Sequence, residues 1–211
     1  MTGVQTCALP ILTPRGIAEG FSREPPLSLY GASKLASELV ALEYGAAFDR
    51  PVYVNRCGVL AGAGQFGKAD QGIFSFWIHS YRHRRPLRFI GFGGTGHQVR
   101  DCLHPRDLAS LLLTQMEASG KNGGVANIGG GADHTMSLAQ LTEWCSRRFG
   151  PHDVGHEPEP RRYDVPWLVL DSSRADQIWN WRPITALADI LDEIARHADA
   201  HPDWLDWSAD P

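Results

Sequence analysis

Apolar residues recur at helical spacing in several parts of the chain, and short apolar runs lie between these parts. The first helical pattern predicts a helix over about residues 30–48, with Ser28 as its N-cap. The apolar positions of this pattern are three or four residues apart: Leu35, Leu39, Leu42 and Ala46. A β-rich run at residues 51–55 follows and leads into the glycine-rich segment 57–67, as a strand does at the edge of an α/β sheet.

The same alternation continues towards the end of the chain. Helices are predicted at residues 72–83, 105–116, 138–149, 172–179 and 187–197, and extended segments at 87–90, 98–104, 125–128 and 168–170. Residues 151–160 are predicted to form a linker, and the tail that carries Trp204 and Trp207 is predicted to fray. These elements predict an α/β fold that has few strands for a complete doubly wound sheet.

The composition fits a globular protein and narrows the kinds of partner. The 211 residues are 43% hydrophobic and 21% charged, and the net charge is −4. An acidic net charge argues against nucleic acid as a partner, and no apolar run reaches the roughly 18–20 residues of a membrane span. Apart from Cys7, which lies in the first eleven residues discussed next, the cysteines Cys57, Cys102 and Cys145 form neither a CxxC pair nor an even-numbered framework, which predicts a reducing, cytoplasmic environment.

The first eleven residues differ in character from the rest of the chain. Their sequence, M-T-G-V-Q-T-C-A-L-P-I, resembles the translation of a common sequencing-library adapter. We therefore expect residues 1–11 to be non-biological and to carry no part of the fold. On this interpretation the authentic chain begins near Leu12, inside a longer protein.

Tyr30 and Lys34 form the sharpest local chemical pattern in the sequence. Residues at positions i and i+4 of a helix share a face, so the Lys34 ammonium can lie near the Tyr30 phenol. A nearby cation stabilises phenolate, which would make Tyr30 a general acid and base. The alternative is an amphipathic helix with an exposed lysine, and the bare spacing does not exclude it.

The surrounding residues extend this pattern into a set of ordered motifs. Residues 26–38 read P-L-S-L-Y-G-A-S-K-L-A-S-E, which resembles the motif P-x-x-x-Y-G-x-S-K-x-x-x-E of the extended short-chain dehydrogenase/reductases. This family contains the NAD-dependent nucleotide-sugar epimerases and dehydratases. Four more family-like segments follow in order: V-R-D-C-L-H-P-R-D-L at 99–108, N-I-G-G at 127–130, R-R-Y-D at 161–164 and W-N-W-R-P at 179–183. Tyr163 departs from the family, which has glycine at this position.

The resemblance implies a fold and a division into domains. It implies the C-terminal part of a Rossmann-type doubly wound parallel sheet together with a small α/β substrate-binding lobe. Residues 12–66 would belong to the NAD-binding domain and residues 67–211 mainly to the lobe, with residues 98–130 or so returning to the sheet. The family's G-x-x-G-x-x-G turn has no match in the chain, and the glycines at 91–96 do not fit it.

The resemblance also implies roles for the residues at the cofactor. Tyr30 would deprotonate a sugar hydroxyl while NAD takes hydride from the same carbon. Lys34 would act on Tyr30 and hydrogen-bond the nicotinamide ribose. The backbone around Arg56, Cys57 and Gly58 would lie near the nicotinamide.

Two arginines are expected to hold the diphosphate of a nucleotide sugar. Arg100 and Arg161 match the family's arginine positions, and a guanidinium binds phosphate oxygens in a planar, bidentate way. The alternatives are an ion pair of Arg100 with Asp101 or Asp107 and a solvated charge at Arg161. Asp107 itself is predicted to be a helix N-terminal cap.

One segment points to a narrower group within the family. Residues 64–72 resemble the Q-F-x-x-x-D-Q-G segment of CDP-paratose (CDP-tyvelose) 2-epimerases, in which Gln65 would contact the substrate. A turn and helix cap is the alternative for Gln65, Asp70 and Gln71. Val59 stands where many 4-epimerases and 4,6-dehydratases carry asparagine.

These observations lead to one principal hypothesis and two alternatives. We expect part of an NAD-dependent nucleotide-sugar epimerase, a CDP-sugar 2-epimerase in its narrowest form, that is a homodimer at full length and inactive as this chain alone. The first alternative is a 4,6-dehydratase or 4-epimerase, and the second is a non-catalytic nucleotide-sensing protein with the same fold. His79 and His83 have a spacing compatible with a metal but no third ligand nearby, so we expect no metal site.

Overall fold

The computed structural model describes residues 15–24, 28–68, 71–118, 123–159, 161 and 163–209. The adapter-like residues 1–11, Pro26 of the tyrosine motif and Asp70 lie outside these ranges. Within the described residues, no helix is long and apolar enough to cross a membrane.

Helices and strands alternate along the described chain. The helices are α1 (Leu29–Ala47), α2 (Ile73–Arg82), α3 (Pro105–Glu117), α4 (Leu138–Phe149), α5 (Ser173–Trp179), α6 (Leu187–Ala200) and α7 (Trp204–Ala209). The strands are β1 (Tyr53–Cys57), β2 (Val59–Leu60), β3 (Leu87–Ile90), β4 (Val99–Leu103), β5 (Gly124–Ile128), β6 (Thr135–Ser137), β7 (Val154–Glu157) and β8 (Trp167–Leu168). Most predicted elements are present within one to three residues of their predicted ends.

Parallel pairing dominates the strands. β1 pairs with β5, β3 with β7, and β4 with both β2 and β8, all in parallel. Only the pairing of β4 with β6 is antiparallel among the described strands. Parallel strands joined through helices are typical of α/β sheets, so the predicted fold class is supported at this level.

Two clusters of buried apolar side chains form the core. One lies among α2, α4 and α6 and includes Trp77, Ile78 and Ile194. The other lies around β1, β5, α3 and α5 and includes Leu111 and Ile128. The predicted domain boundary near residue 66 remains a prediction.

Local caps explain where several helices begin. The Ser28 hydroxyl accepts a hydrogen bond from the Gly31 amide at 2.9 Å, which confirms the predicted N-cap of α1. Ser137 and Gln140 form a reciprocal capping box at the start of α4.

The predicted capping role of Asp107 is wrong, because His104 caps α3 and Asp107 already lies in the first turn of that helix. The Asp107 carboxylate accepts hydrogen bonds from Ile184 and Thr185 instead.

Two segments differ from the sequence-based expectation. The predicted linker contains β7, with the sequence V-G-H-E. Three of these four residues are exposed, and the segment has no alternating apolar pattern that would predict a strand. The tail that was predicted to fray forms α7, and Trp204 packs against residues more than a hundred positions earlier in the chain.

Four histidines meet where α2 packs on α6: His79, His83, His197 and His201. His79 is almost fully buried, and its Nε2 lies 3.2 Å from Nδ1 of His197. Burial, followed by the neighbouring histidines and Arg85, lowers the pKa of His79 from 6.5 to about 4. The folded state therefore holds His79 neutral where the unfolded chain would protonate it.

This histidine cluster predicts a loss of stability in mild acid. Between pH 6.5 and about 4 the unfolded chain binds the proton and the folded protein does not, so the free energy of unfolding should fall as the pH falls. The expected loss from His79 is roughly 1–2 kcal/mol between pH 7 and pH 5, and urea unfolding at both values measures it. His79→Gln should reduce this pH dependence, whereas His97→Gln, at an exposed histidine, should not. Equal pH dependence in wild type and His79→Gln would contradict the prediction.

Candidate active site

Tyr30 and Lys34 lie in the first two turns of α1. The Lys34 ammonium is 5.3 Å from the centroid of the Tyr30 ring, so the helix brings the two side chains together as the spacing predicts. Both side chains are exposed, Tyr30 to 66%. A phenol with a cation beside it, open to a ligand, can exchange a proton with a substrate hydroxyl.

Glu38, one turn further along α1, fixes this helix to the sheet. Its buried carboxylate accepts hydrogen bonds from Arg56 Nε at 2.8 Å and Arg56 Nη2 at 2.6 Å, and from Arg23 Nη1 at 2.8 Å. The hydrogen bonds from Arg56 hold the pKa of Glu38 below its ordinary value. The Arg56 side chain thus joins β1 to α1, while its backbone lies at the strand end for which a cofactor contact is predicted.

Cys57 and Gly58 lie at the carboxyl end of β1. The Gly58 amide donates to the Ile128 carbonyl at 2.8 Å, which continues the pairing of β1 with β5. A Cβ atom on Gly58 would stand 2.6 Å from Oδ1 of Asp101, so this position has no room for a side chain. The Cys57 side chain is exposed.

Asp101, inside β4, was not predicted as a central residue. Its side chain is fully buried, and Oδ2 accepts backbone hydrogen bonds from Leu170 at 3.3 Å and Gly131 at 3.4 Å. Oδ1 has no hydrogen-bond partner among the described residues, and burial raises the pKa of this carboxyl. The V-R-D segment contained the residue, but an aspartate in a strand gives no signal of burial at the sequence level.

Arg100 and Arg161 both contact Asp164, Arg100 through its guanidinium and Arg161 through its backbone carbonyl. Arg100 Nη2 donates to Asp164 Oδ1 at 2.6 Å, and the Asp164 amide donates to the Arg161 carbonyl at 3.2 Å. Asp101 and Asp107, the partners considered for Arg100 from the sequence, do not form this ion pair. Burial lowers the pKa of Arg100, and the Asp164 carboxylate opposes that effect.

Gln65 directs its amide into the protein. Nε2 donates to the Leu60 carbonyl at 2.7 Å, and Oε1 is buried without a hydrogen-bond partner among the described residues. Glu38 links α1 to Arg56, and Asp101 links β4 to Gly58. Gln65 contacts Leu60 and belongs to neither set of contacts.

His79 and His83 have the spacing that was considered for a metal. Across the described residues, no group of three or more histidine, cysteine or acidic side chains is placed to hold a metal ion. His83 Nε2 is occupied by the Ala198 carbonyl at 2.8 Å.

A comparison with protein-family models places the chain. Residues 10–129, more than half of its length, match the NAD dependent epimerase/dehydratase family. The chain belongs to this family. The match includes Tyr30, Lys34, Glu38 and Arg100, whose positions are described above.

Curated relatives of this family member differ in activity. A CDP-paratose 2-epimerase of Salmonella typhi is 33% identical over 175 residues, which cover 77% of this chain and 49% of that protein. A dTDP-glucose 4,6-dehydratase of Streptomyces griseus is 31% identical over 188 residues, 85% of this chain and 52% of that protein. A UDP-glucose 4-epimerase of Corynebacterium glutamicum is 29% identical over 170 residues, 75% of this chain and 50% of that protein. The chain spans about half the length of the curated relatives it matches.

Solved structures confirm the predicted fold class. Pal from Bacillus thuringiensis superposes with a TM-score of 0.75 at 26% identity, covering 88% of this chain and 57% of Pal. MoeE5 in complex with UDP-glucose and NAD superposes with a TM-score of 0.76 at 24% identity, over 89% of this chain and 60% of that one. These likenesses and the parallel pairing establish the Rossmann-type α/β fold of the epimerase/dehydratase family.

Tyr163 gives a prediction about the arginine turn. Its φ is +67°, in the left-handed region that favours glycine, which is the residue the family motif has here. We expect Tyr163→Gly to be more stable than Tyr163→Ala by about 1 kcal/mol, because alanine keeps the unfavourable φ and glycine does not. Thermal and urea unfolding of both variants measures the difference.

Val165 supplies the control for this comparison. It has similar exposure and no positive φ, so glycine should be less stable than alanine there. The same order of stability at both positions would show that the turn does not depend on the left-handed conformation of residue 163.

Proposed function

We propose that the protein carrying this chain is an NAD-dependent nucleotide-sugar epimerase that works by transient removal of hydride from the sugar. The observation that carries the proposal is the Tyr30 phenol with the Lys34 ammonium 5.3 Å from its ring, exposed at the start of α1. A residue pair of this kind can take a proton from a sugar hydroxyl and return it.

The residues present fit the nicotinamide end of NAD. The Tyr30 hydroxyl can donate or accept a hydrogen bond and the Lys34 ammonium can donate three, which matches the hydroxyls of a ribose. When bound, NAD supplies the hydride acceptor for the sugar carbon. The backbone at Arg56, Cys57 and Gly58 ends β1 at the carboxyl edge, where ligands of open α/β sheets bind.

Each side chain has a distinct task in this proposal. Tyr30, as the phenolate that the Lys34 ammonium stabilises, accepts the proton of the reacting hydroxyl and becomes the neutral phenol. The ion pairs of Glu38 with Arg56 and Arg23 keep the helix in place while the proton moves. The proton then returns to the sugar from Tyr30 when hydride is restored.

Arg100 and Arg161 are proposed to bind the diphosphate of the nucleotide sugar. Asp164 contacts both residues: its carboxylate orients the Arg100 guanidinium, and its amide bonds to the Arg161 carbonyl. A planar guanidinium forms paired hydrogen bonds with phosphate oxygens. Gln65 is proposed to take part through its loop, since its amide is engaged with Leu60.

A CDP-sugar, with epimerisation at carbon 2, is the proposed substrate class and reaction. The 33% identity with the CDP-paratose 2-epimerase of Salmonella typhi supports this assignment. Val59, at the position where many 4-epimerases and dehydratases carry asparagine, is consistent with it.

We further propose a cytoplasmic homodimer. The exposed apolar side chains along α1, among them Leu39, Val40 and Tyr44, support a helix that is covered in the intact protein.

Substitution of the tyrosine tests the proton transfer. In the protein produced from the complete gene, Tyr30→Phe should lower kcat by about a hundredfold or more, because the general acid and base is lost. Binding of the nucleotide sugar, measured by calorimetry, should change by less than about fivefold, since one hydroxyl is removed. Tyr44→Phe, on the same helix and similarly exposed at 59%, is the control and should retain wild-type turnover.

The choice of substrates separates the alternatives. CDP-, UDP- and dTDP-hexoses are incubated with NAD, and the products are identified by NMR. An inverted carbon 2 supports the proposal, inversion at carbon 4 or loss of water assigns one of the other activities, and binding without turnover indicates a nucleotide-sensing protein. Unchanged kcat in Tyr30→Phe would remove Tyr30 from the reaction.

A further inference from the structure

The loop that follows β2 lies where a ligand would be expected. We call residues 61–68 the Gln65 loop. β2 runs parallel to β4 with Leu60 opposite Leu103, so the loop leaves the carboxyl end of a parallel strand. Ligands of open α/β sheets bind outside these ends. The conformation of the Gln65 loop is therefore expected to matter for binding.

Two side chains from distant elements hold the backbone of this loop. The carbonyl oxygen of Gln65 accepts a hydrogen bond from the Ser75 hydroxyl of α2 at 2.7 Å and another from the Trp204 indole of α7 at 3.1 Å. With the Gln65 amide also bonded to Leu60, the residue is fixed through both its side chain and its backbone.

An aromatic stack adds a second contact between α7 and the loop. The rings of Phe66 and Trp204 are nearly parallel, with an interplanar angle of 5° and centroids 4.6 Å apart. The edge of His197 meets the Trp204 ring with centroids 4.7 Å apart, so α6 supports the indole. The Phe66 side chain remains 53% exposed.

We propose that Trp204 is a positioning residue that fixes the Gln65 loop in the conformation that receives the sugar of a nucleotide-sugar substrate. The proposal rests on the proposed function for the nature of the ligand. The hydrogen bond to the Gln65 carbonyl and the stack on Phe66 both act on the loop and not on Tyr30. Loss of Trp204 should therefore weaken substrate binding and leave proton transfer unaffected.

Two substitutions separate the two contacts. Trp204→Phe keeps an aromatic ring and removes the indole N–H, and it should raise KM roughly 3- to 10-fold. Trp204→Leu removes both contacts and should raise KM roughly 10- to 100-fold. In both variants kcat should stay within about twofold of wild type, which a general loss of folded protein would not produce.

Trp207 provides the matched control. It lies one turn further along α7, its side chain is 66% exposed, and its ring centroid is 5.6 Å from that of Trp204. Trp207→Phe and Trp207→Leu should leave KM unchanged. If Trp204→Leu unfolds α7, as circular dichroism would show, Trp204→Phe alone decides the matter.

Hydrogen–deuterium exchange measures the conformation of the Gln65 loop directly, without an activity assay. Exchange at the amides of the Gln65 loop should rise in Trp204→Phe and stay at the wild-type rate in Trp207→Phe. Faster exchange together with a higher KM supports the proposal. Unchanged exchange, or faster exchange with an unchanged KM, overturns it while leaving the function of Tyr30 intact. If wild type turns over no nucleotide sugar, the proposed function fails, and this inference fails with it whatever the exchange shows.

Discussion

The buried carboxylate of Asp101 is the interaction on which the arrangement of strands depends. It lies in β4, fills the space beside Gly58 after β1, and accepts amide hydrogens from Gly131 and Leu170. Removing this carboxyl from water is costly, and the two amides that approach Oδ2 offset part of that cost, while Oδ1 has no partner among the described residues. A Cβ atom on Gly58 would lie 2.6 Å from Oδ1, so the absence of a side chain there allows the end of β1 to approach Asp101.

Arg100 and Asp101, which are neighbours in β4, point to opposite faces of the strand. Successive side chains of a strand point to opposite faces, so Asp101 faces the buried strand ends while Arg100 reaches Asp164 on the other side. The backbone contacts of Asp101 hold β4 in place, and the ion pair with Asp164 orients the Arg100 guanidinium. The strand couples the part of the molecule proposed to face the nicotinamide to the part proposed to hold the diphosphate.

Features that depend on adjacent residues could be predicted from the sequence, and features that depend on distant partners could not. The helix spacing around Tyr30 and Lys34 and the cap at Ser28 are local, and each is present in the structure. Trp204 meets Gln65 across 139 positions, a contact that no local pattern contains. β7 was not predicted for the same reason. It is a strand because it pairs with β3, and its own residue pattern does not indicate one.

Glu38 illustrates how a residue can hold the side chains of the proposed proton transfer in place without touching them. In this partly buried ion pair the loss of one partner would leave the other charge in poorly hydrated surroundings without its counter-charge. The ion pair of Arg56 with Glu38 therefore opposes rotation of α1 away from β1. It also restrains the position of Tyr30, which lies two turns earlier on the same helix. An acid and base must stand within hydrogen-bond reach of its proton, and small displacements reduce rates strongly. The glutamate at the end of the tyrosine motif thus has a physical reason to accompany the tyrosine and lysine, although it touches neither the phenol nor a substrate.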